Sequence, residues 1–206
     1  MNTSDERPGT IIQIFSDREI SSYLFSHLSP KEFLRISRTC KEGKVAVSAY
    51  FVKAFDVNAR LERFFSNPLA FRFVQAQTST LISGSFALQF FDRTSYVSSD
   101  LDLYLHLEHR RTMGRWLLHE AGYSFSPYRG QEQDFESAVL RKNPRRGFRY
   151  SMPGVADILT FVKTQTDGTK LKVQLIIARR TPMEVILGFH SSEFSDSGIL
   201  SLGTLR

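Results

Sequence analysis

The sequence predicts an α+β protein in which short helices come first and a small mixed sheet with flanking helices follows. Three observations carry this. Apolar residues recur at helical spacing from Ile11 onward. Asp100-Leu101-Asp102-Leu103-Tyr104-Leu105 alternates polar and apolar, the period of a strand with one buried face. Farther on, Asp157–Gln165 and Lys170–Ala178 read as two strands joined through Asp167-Gly168, a pair that favours a two-residue hairpin turn. The expected organisation is a lead-in over 1–10, a helical segment over 11–60, an α/β domain over 61–190 and an irregular tail over 191–206.

The helical segment has recognisable punctuation. Ser16 or Asp17 can cap a helix with a side-chain oxygen, after which Ile20, Leu24 and Leu28 form one apolar stripe. Ser29-Pro30 restarts the chain, with Ser29 as N-cap and Pro30 at the first helical position, where no N–H is needed. Phe33, Leu34 and Ser37 continue one face, and Gly43 is expected to end the run. Residues 45–78 add further helix, rich in aromatic side chains and punctuated by Asn67-Pro68. No internal repeat is visible.

Composition sets the outer limits. Of 206 residues, 41% are hydrophobic and 23% charged, which is ordinary globular usage and excludes bulk disorder. The 18 Phe residues supply large apolar surfaces for a core. The single Cys40 excludes an internal disulfide and a cysteine-based zinc site, which fits a reducing compartment. The first residues lack the charged-then-apolar layout of a signal peptide, and no run approaches the roughly 18 apolar residues of a membrane span. A cytoplasmic or nuclear protein without membrane contact is the expectation. A net charge of +6 permits attraction to nucleic acid, nucleotides or acidic proteins without selecting among them.

The segment IFSDREISSYLFSHLSPKEFLRISRTCK resembles the F-box. Leu28-Ser29-Pro30, Phe33-Leu34, Ile36 and Cys40-Lys41 match its pattern over roughly residues 14–50, while Phe15-Ser16 stands where the F-box opens with Leu-Pro. The resemblance implies docking on a Skp-type adaptor of a cullin ubiquitin ligase through Leu28, Pro30, Phe33 and Leu34. A helical cap packed wholly on the next domain is the alternative.

The second informative stretch is LISGSFALQFFDRTSYVSSDLDLYL, residues 81–105. A short apolar run ends at Ser83-Gly84-Ser85, and a helix follows. Gly84 allows close backbone approach, and the helix start near Ser85 presents free N–H groups that suit phosphate. Strand parity puts Asp100 and Asp102 on one side, where a divalent cation would relieve their repulsion. Together these features resemble the polymerase-β-type nucleotidyltransferase signature. The resemblance implies that Gly84 and Ser85 contact a nucleoside triphosphate, and that Asp100 and Asp102 are catalytic and hold Mg2+.

The rest of the domain departs from that family. Its third carboxylate comes from a neighbouring strand, and the corresponding position here is Gln174, which cannot serve as a base. With Asp167-Gly168 as the two turn residues, Phe161 faces Gln174. Asp157 then lies on the Gln174 face but about 13 Å along the strand. Trp116, with Met113 and Leu117, reads as core on a helix ended by Gly122. His106 and His109 flank the carboxylate strand as solvated side chains. RKNPRRGFR, residues 141–149, reads as a solvated basic loop, with phosphate contact as the alternative. The leading expectation is an F-box-like protein with a catalytically degenerate nucleotidyltransferase-type domain used in recognition. The competing ones are an active Mg-dependent nucleotidyltransferase and an unrelated α+β interaction protein.

Overall fold

The computed structural model describes residues 10–96, 99–140 and 153–188. The lead-in over 1–9, the basic segment 141–149 and the tail from 189 onward lie outside the described residues. The chain forms two units, Met1–Asp56 and Val57–Arg206.

In the first unit, α1 (Thr10–Ser16), α2 (Arg18–Ser26), α3 (Pro30–Ile36) and α4 (Lys41–Ala54) follow in quick succession. The starts of α2, α3 and α4 have local causes. The Asp17 carboxylate accepts from the Glu19 and Ile20 amides at 2.9 and 3.0 Å, satisfying donors left free at the start of α2. At α3 the Ser29 amide donates to Glu32 Oε2 at 2.6 Å, and Pro30 opens the helix. The Cys40 sulfur accepts from the Gly43 amide at 3.3 Å and caps α4. Gly43 therefore does not end a helix but sits in the first turn of one. A Cβ there would press on the Ile36 carbonyl, so glycine permits the close approach of α3 and α4.

Phe25, Phe33, Ala46 and Val47 form the core of this unit, with Phe15, Leu28, Ile36 and Tyr50 packed around it. Phe25 meets Phe33 and Tyr50 edge-on at centroid distances of 6.1 and 5.5 Å, the arrangement that ring quadrupoles favour. The expected Ile20/Leu24 stripe faces outward instead. Phe25 is the largest apolar side chain of α2 and takes the core. Ser21, one turn earlier, comes inward with it.

The second unit opens with α5 (Val57–Leu61) and α6 (Pro68–Gln77). Asn67 caps α6 by accepting from the Ala70 amide at 3.0 Å. Then come β1 (Leu81–Ser83), α7 (Gly84–Asp92), β2 (Leu101–His106), a 3-10 turn (Leu107–His109), α8 (Arg110–His119), β3 (Ser124–Phe125), α9 (Phe135–Leu140), β4 (Val155–Thr164), β5 (Lys170–Ala178) and α10 (Pro182–Leu187). The sheet order is β1-β2-β5-β4-β3, with β2 and β5 parallel and the other neighbours antiparallel. The protein is therefore mixed α+β, with a five-stranded mixed sheet and flanking helices.

The two faces of this sheet differ. Leu101, Leu103, Leu105, Leu159, Phe161, Val173 and Leu175 pack on one side in a single core with Phe65, Phe71, Met113 and Leu117. Trp116 is partly buried against it, as expected of a core aromatic. On the opposite side Tyr104 and Ile176 pack with Val185 and Ile186 of α10. Among the described residues no helix is long and apolar enough to cross a membrane.

The β4–β5 hairpin corrects the expected register. Thr164 pairs with Lys170, Gln165 N–H donates to the Thr169 carbonyl at 2.8 Å, and Gly168 N–H donates to the Gln165 carbonyl at 3.0 Å. The loop is thus the three residues Thr166-Asp167-Gly168, closed by Gly168 at φ +84°, a turn followed by a left-handed residue. The extra loop residue shifts the pairing by one, and a one-residue slip exchanges faces. Gln174 is paired with Thr160, not Phe161. Asp157 has the parity of Leu159 and Phe161, so it lies on the side opposite Gln174, beside a bulge between Val155 and Asp157.

Candidate functional site

Strand register assembles a polar row on the α10 side of the sheet. Ser83 on β1 pairs with Asp102 on β2, Asp102 with Gln174 on β5, and Gln174 with Thr160 on β4. Paired residues put their side chains on one face about 5 Å apart. Asp100 and Lys172 stand one step farther along the same face by parity. The next row in the other direction is Leu81, Tyr104, Ile176 and Ile158, which is apolar apart from the tyrosine hydroxyl.

Gly84 joins this group by contact. It opens α7 with φ +73°, and a Cβ at that position would collide with Oδ2 of Asp102. Gly84 is thus a glycine for two reasons, backbone conformation and the carboxylate against it. Ser85 follows in the first turn of α7, where its carbonyl accepts from Gln89 Nε2 at 2.9 Å. The strand–Gly–helix corner and the carboxylates read from the sequence are therefore brought together.

The charges are arranged unevenly. Lys172 Nζ donates to Asp100 Oδ2 at 2.5 Å in an ion pair about one-third exposed on each side. Asp102 is more enclosed. Burial first, and the Asp100 charge second, raise its pKa to about 6, while Lys172 works in the opposite direction. The Ser83 hydroxyl, 1% exposed, has no hydrogen-bond partner among the described residues. Gln174 Nε2 lies 3.5 Å from Thr160 Oγ1, a long contact.

Thr94, Tyr96 and Ser99, which precede Asp100, are held from outside the sheet. Arg63 donates to the Tyr96 carbonyl at 2.9 Å, the Ser99 hydroxyl at 2.9 Å and the Ser99 carbonyl at 3.2 Å. Arg60 donates to the Thr94 carbonyl at 2.9 Å, and the Tyr96 amide donates to Gln89 Oε1 at 2.6 Å. Nothing in the local sequence signals these arginines. Lys172 was within reach, because it stands two residues before Gln174 on one strand and must share its face.

The donor set does not match what a divalent ion requires. Among the described residues no group of three or more His, Cys, Asp and Glu side chains could hold a metal. An ammonium already sits on Asp100, and the residue paired with Asp102 on β5 is the neutral Gln174. Asp157 points to the other face and supplies nothing here. His106 and His109 stack edge-on at 6.5 Å.

The residues read as partner-binding lie in the first unit. Leu34 is 60% exposed, Pro30 is exposed and Leu28 is half-buried. Phe33 is 1% exposed, with its ring in the small helical core against Phe25 and Tyr50.

Comparison of the chain with protein families, with curated proteins and with solved structures finds no match.

Proposed function

We propose that this chain is an F-box-like adaptor protein whose α/β unit keeps the layout of a nucleotidyltransferase but works in recognition rather than catalysis. The observation that carries the reading is the polar row itself. Gly84 lies against Asp102 at the strand–helix corner, yet Gln174 stands beside Asp102 and Lys172 is bound to Asp100. Nucleotidyl transfer concentrates negative charge in its transition state and needs a full set of metal ligands to stabilise it. A neutral amide and an ammonium in that set oppose the chemistry while leaving a shaped polar surface.

The helical unit supports the adaptor half. Its short helices bury one small core and leave Ile20, Leu24, Leu34, Val45 and Val52 outward, an apolar surplus of the kind that marks a partner surface. A Skp-type subunit of a cullin ubiquitin ligase is the partner that the F-box-like pattern implies, and with it a cytoplasmic or nuclear setting. In a pull-down with a purified Skp-type adaptor, wild type is retained and a Pro30→Ala, Leu34→Asp double variant is lost. Both positions are exposed, so the unit still folds. Equal retention of the two proteins would remove the adaptor reading.

A second reading, Mg2+-dependent transfer of a nucleoside monophosphate from a triphosphate, draws on the meeting of Gly84, Asp100 and Asp102. Transfer from labelled triphosphates by the unmodified chain, abolished by Asp102→Ala, would establish it in place of the first. The expected result is no transfer.

A further inference from the structure

We infer that Lys172 is the resident cation of the carboxylate face, so that Asp100 and Asp102 take no divalent metal in the native chain. The inference rests on the nucleotidyltransferase-like layout proposed above and assigns Lys172 a role which that layout does not contain.

The charge accounting is local. Asp100 and Lys172 cancel each other at 2.5 Å. A lysine ammonium has three donors and no acceptor, so it can bind carboxylate oxygen but cannot share a metal. Two carboxylates beside one another ordinarily attract a divalent ion because that ion relieves their repulsion. Here a side chain from the adjacent parallel strand supplies the relief. Lys172 also stands near Asp102, two residues along β5 from the Gln174 that pairs with it and on the same face. An ion approaching Asp102 would therefore meet one free carboxylate and a fixed positive charge on the same face.

The remaining oxygens make the effect of Lys172 testable. Ser83 pairs with Asp102 across the strands, and its buried hydroxyl lacks a partner among the described residues. The Gln174 amide stands on the other side of Asp102. Without the ammonium, Asp102 with Ser83 and Gln174 paired on either side of it, and Asp100 two residues away along β2, would leave four oxygen-bearing side chains on one face of the sheet. Lys172 is thus the group that decides whether this surface holds a metal.

The test is a Mn2+ titration of the full chain followed by paramagnetic broadening of backbone amide signals. In the wild type the Ser83, Gly84 and Asp102 amides stay unbroadened at low millimolar Mn2+. Lys172→Met strengthens Mn2+ binding at these amides by about tenfold or more, as removal of a unit charge a few ångströms away requires. Lys172→Arg behaves as wild type. Selective broadening in the wild type, removed by Asp102→Asn, overturns the inference. So does a folded Lys172→Met protein with no gain. If Lys172→Met does not fold, the wild-type titration decides alone. A protein that binds Mn2+ here yet transfers no nucleotide loses this inference and keeps the proposed function, whereas transfer activity overturns the proposed function.

Discussion

The α10 side of the sheet is divided between two adjacent rows that share the same strands. One row, Leu81–Tyr104–Ile176–Ile158, packs with α10, and its Tyr104 hydroxyl is held well above its ordinary pKa by burial and by Asp102. The next row, Ser83–Asp102–Gln174–Thr160, carries polar groups on every strand and joins no apolar cluster. A step of two residues along β2 changes a packing surface into a charged one. The difference shows that the backbone alone does not define the site. The sheet supplies identical geometry to both rows, and the side chains decide which row is core.

The largest expected effect lies in the packed row. Ile176→Ala removes a buried side chain beneath α10 and should cost about 3–4 kcal/mol of stability in urea unfolding, the range for large-to-small core changes. If it costs no more than Thr160→Ala, the contrast between the rows is broken.

Gly84→Ala follows at about 3 kcal/mol, combining a left-handed backbone with a collision against Asp102. Combining it with Asp102→Ala should return part of that loss, and strict additivity of the two changes would mean that the close approach is not what glycine serves.

Asp102→Asn should act in the opposite direction. The folded pKa of about 6 lies above the ordinary 3.8, so the folded chain holds a proton that the unfolded chain has released between those values. Wild-type stability therefore falls as pH rises through that window. Asn has no such penalty. The variant should match wild type below about pH 4 and gain stability up to about pH 6. Above that the gap levels off at no more than about 3 kcal/mol, since one pKa unit corresponds to about 1.4 kcal/mol. A constant gap at all pH values would refute the assignment.

The smallest effect is that of Lys172→Met on stability, within about 1 kcal/mol, because its ion pair is one-third exposed and screened. A loss several times larger would mean that Lys172 has a packing role that its exposure does not suggest.

How much of this was legible depends on the range of the interactions involved. The strand character of β2 could be read directly, since Leu101, Leu103 and Leu105 enter one core and force the alternation. The corner at Gly84 and the caps at Asp17, Ser29 and Asn67 were equally local, each set by residues within a turn. The β4–β5 register was not. Asp-Gly serves both a two-residue turn and the three-residue loop found here, and the choice moved Asp157 to the opposite face. The orientation of α2 also escaped, because Phe25 outcompetes the Ile20/Leu24 stripe only once Phe33 and Tyr50 are placed. Lys172 was visible by parity, but its partner Asp100 lies on a strand brought alongside by the crossover.

The hold of Arg60 and Arg63 on the segment before Asp100 bears on how portable the carboxylate motif is. Both arginines precede the sheet, and they grip backbone carbonyls at Thr94, Tyr96 and Ser99. A graft of residues 81–105 onto another scaffold would carry Gly84, Asp100 and Asp102 intact and leave behind the anchors that fix the backbone leading into the first carboxylate. The smallest transplantable form of this site therefore begins at α5, upstream of every residue that gives the motif its appearance.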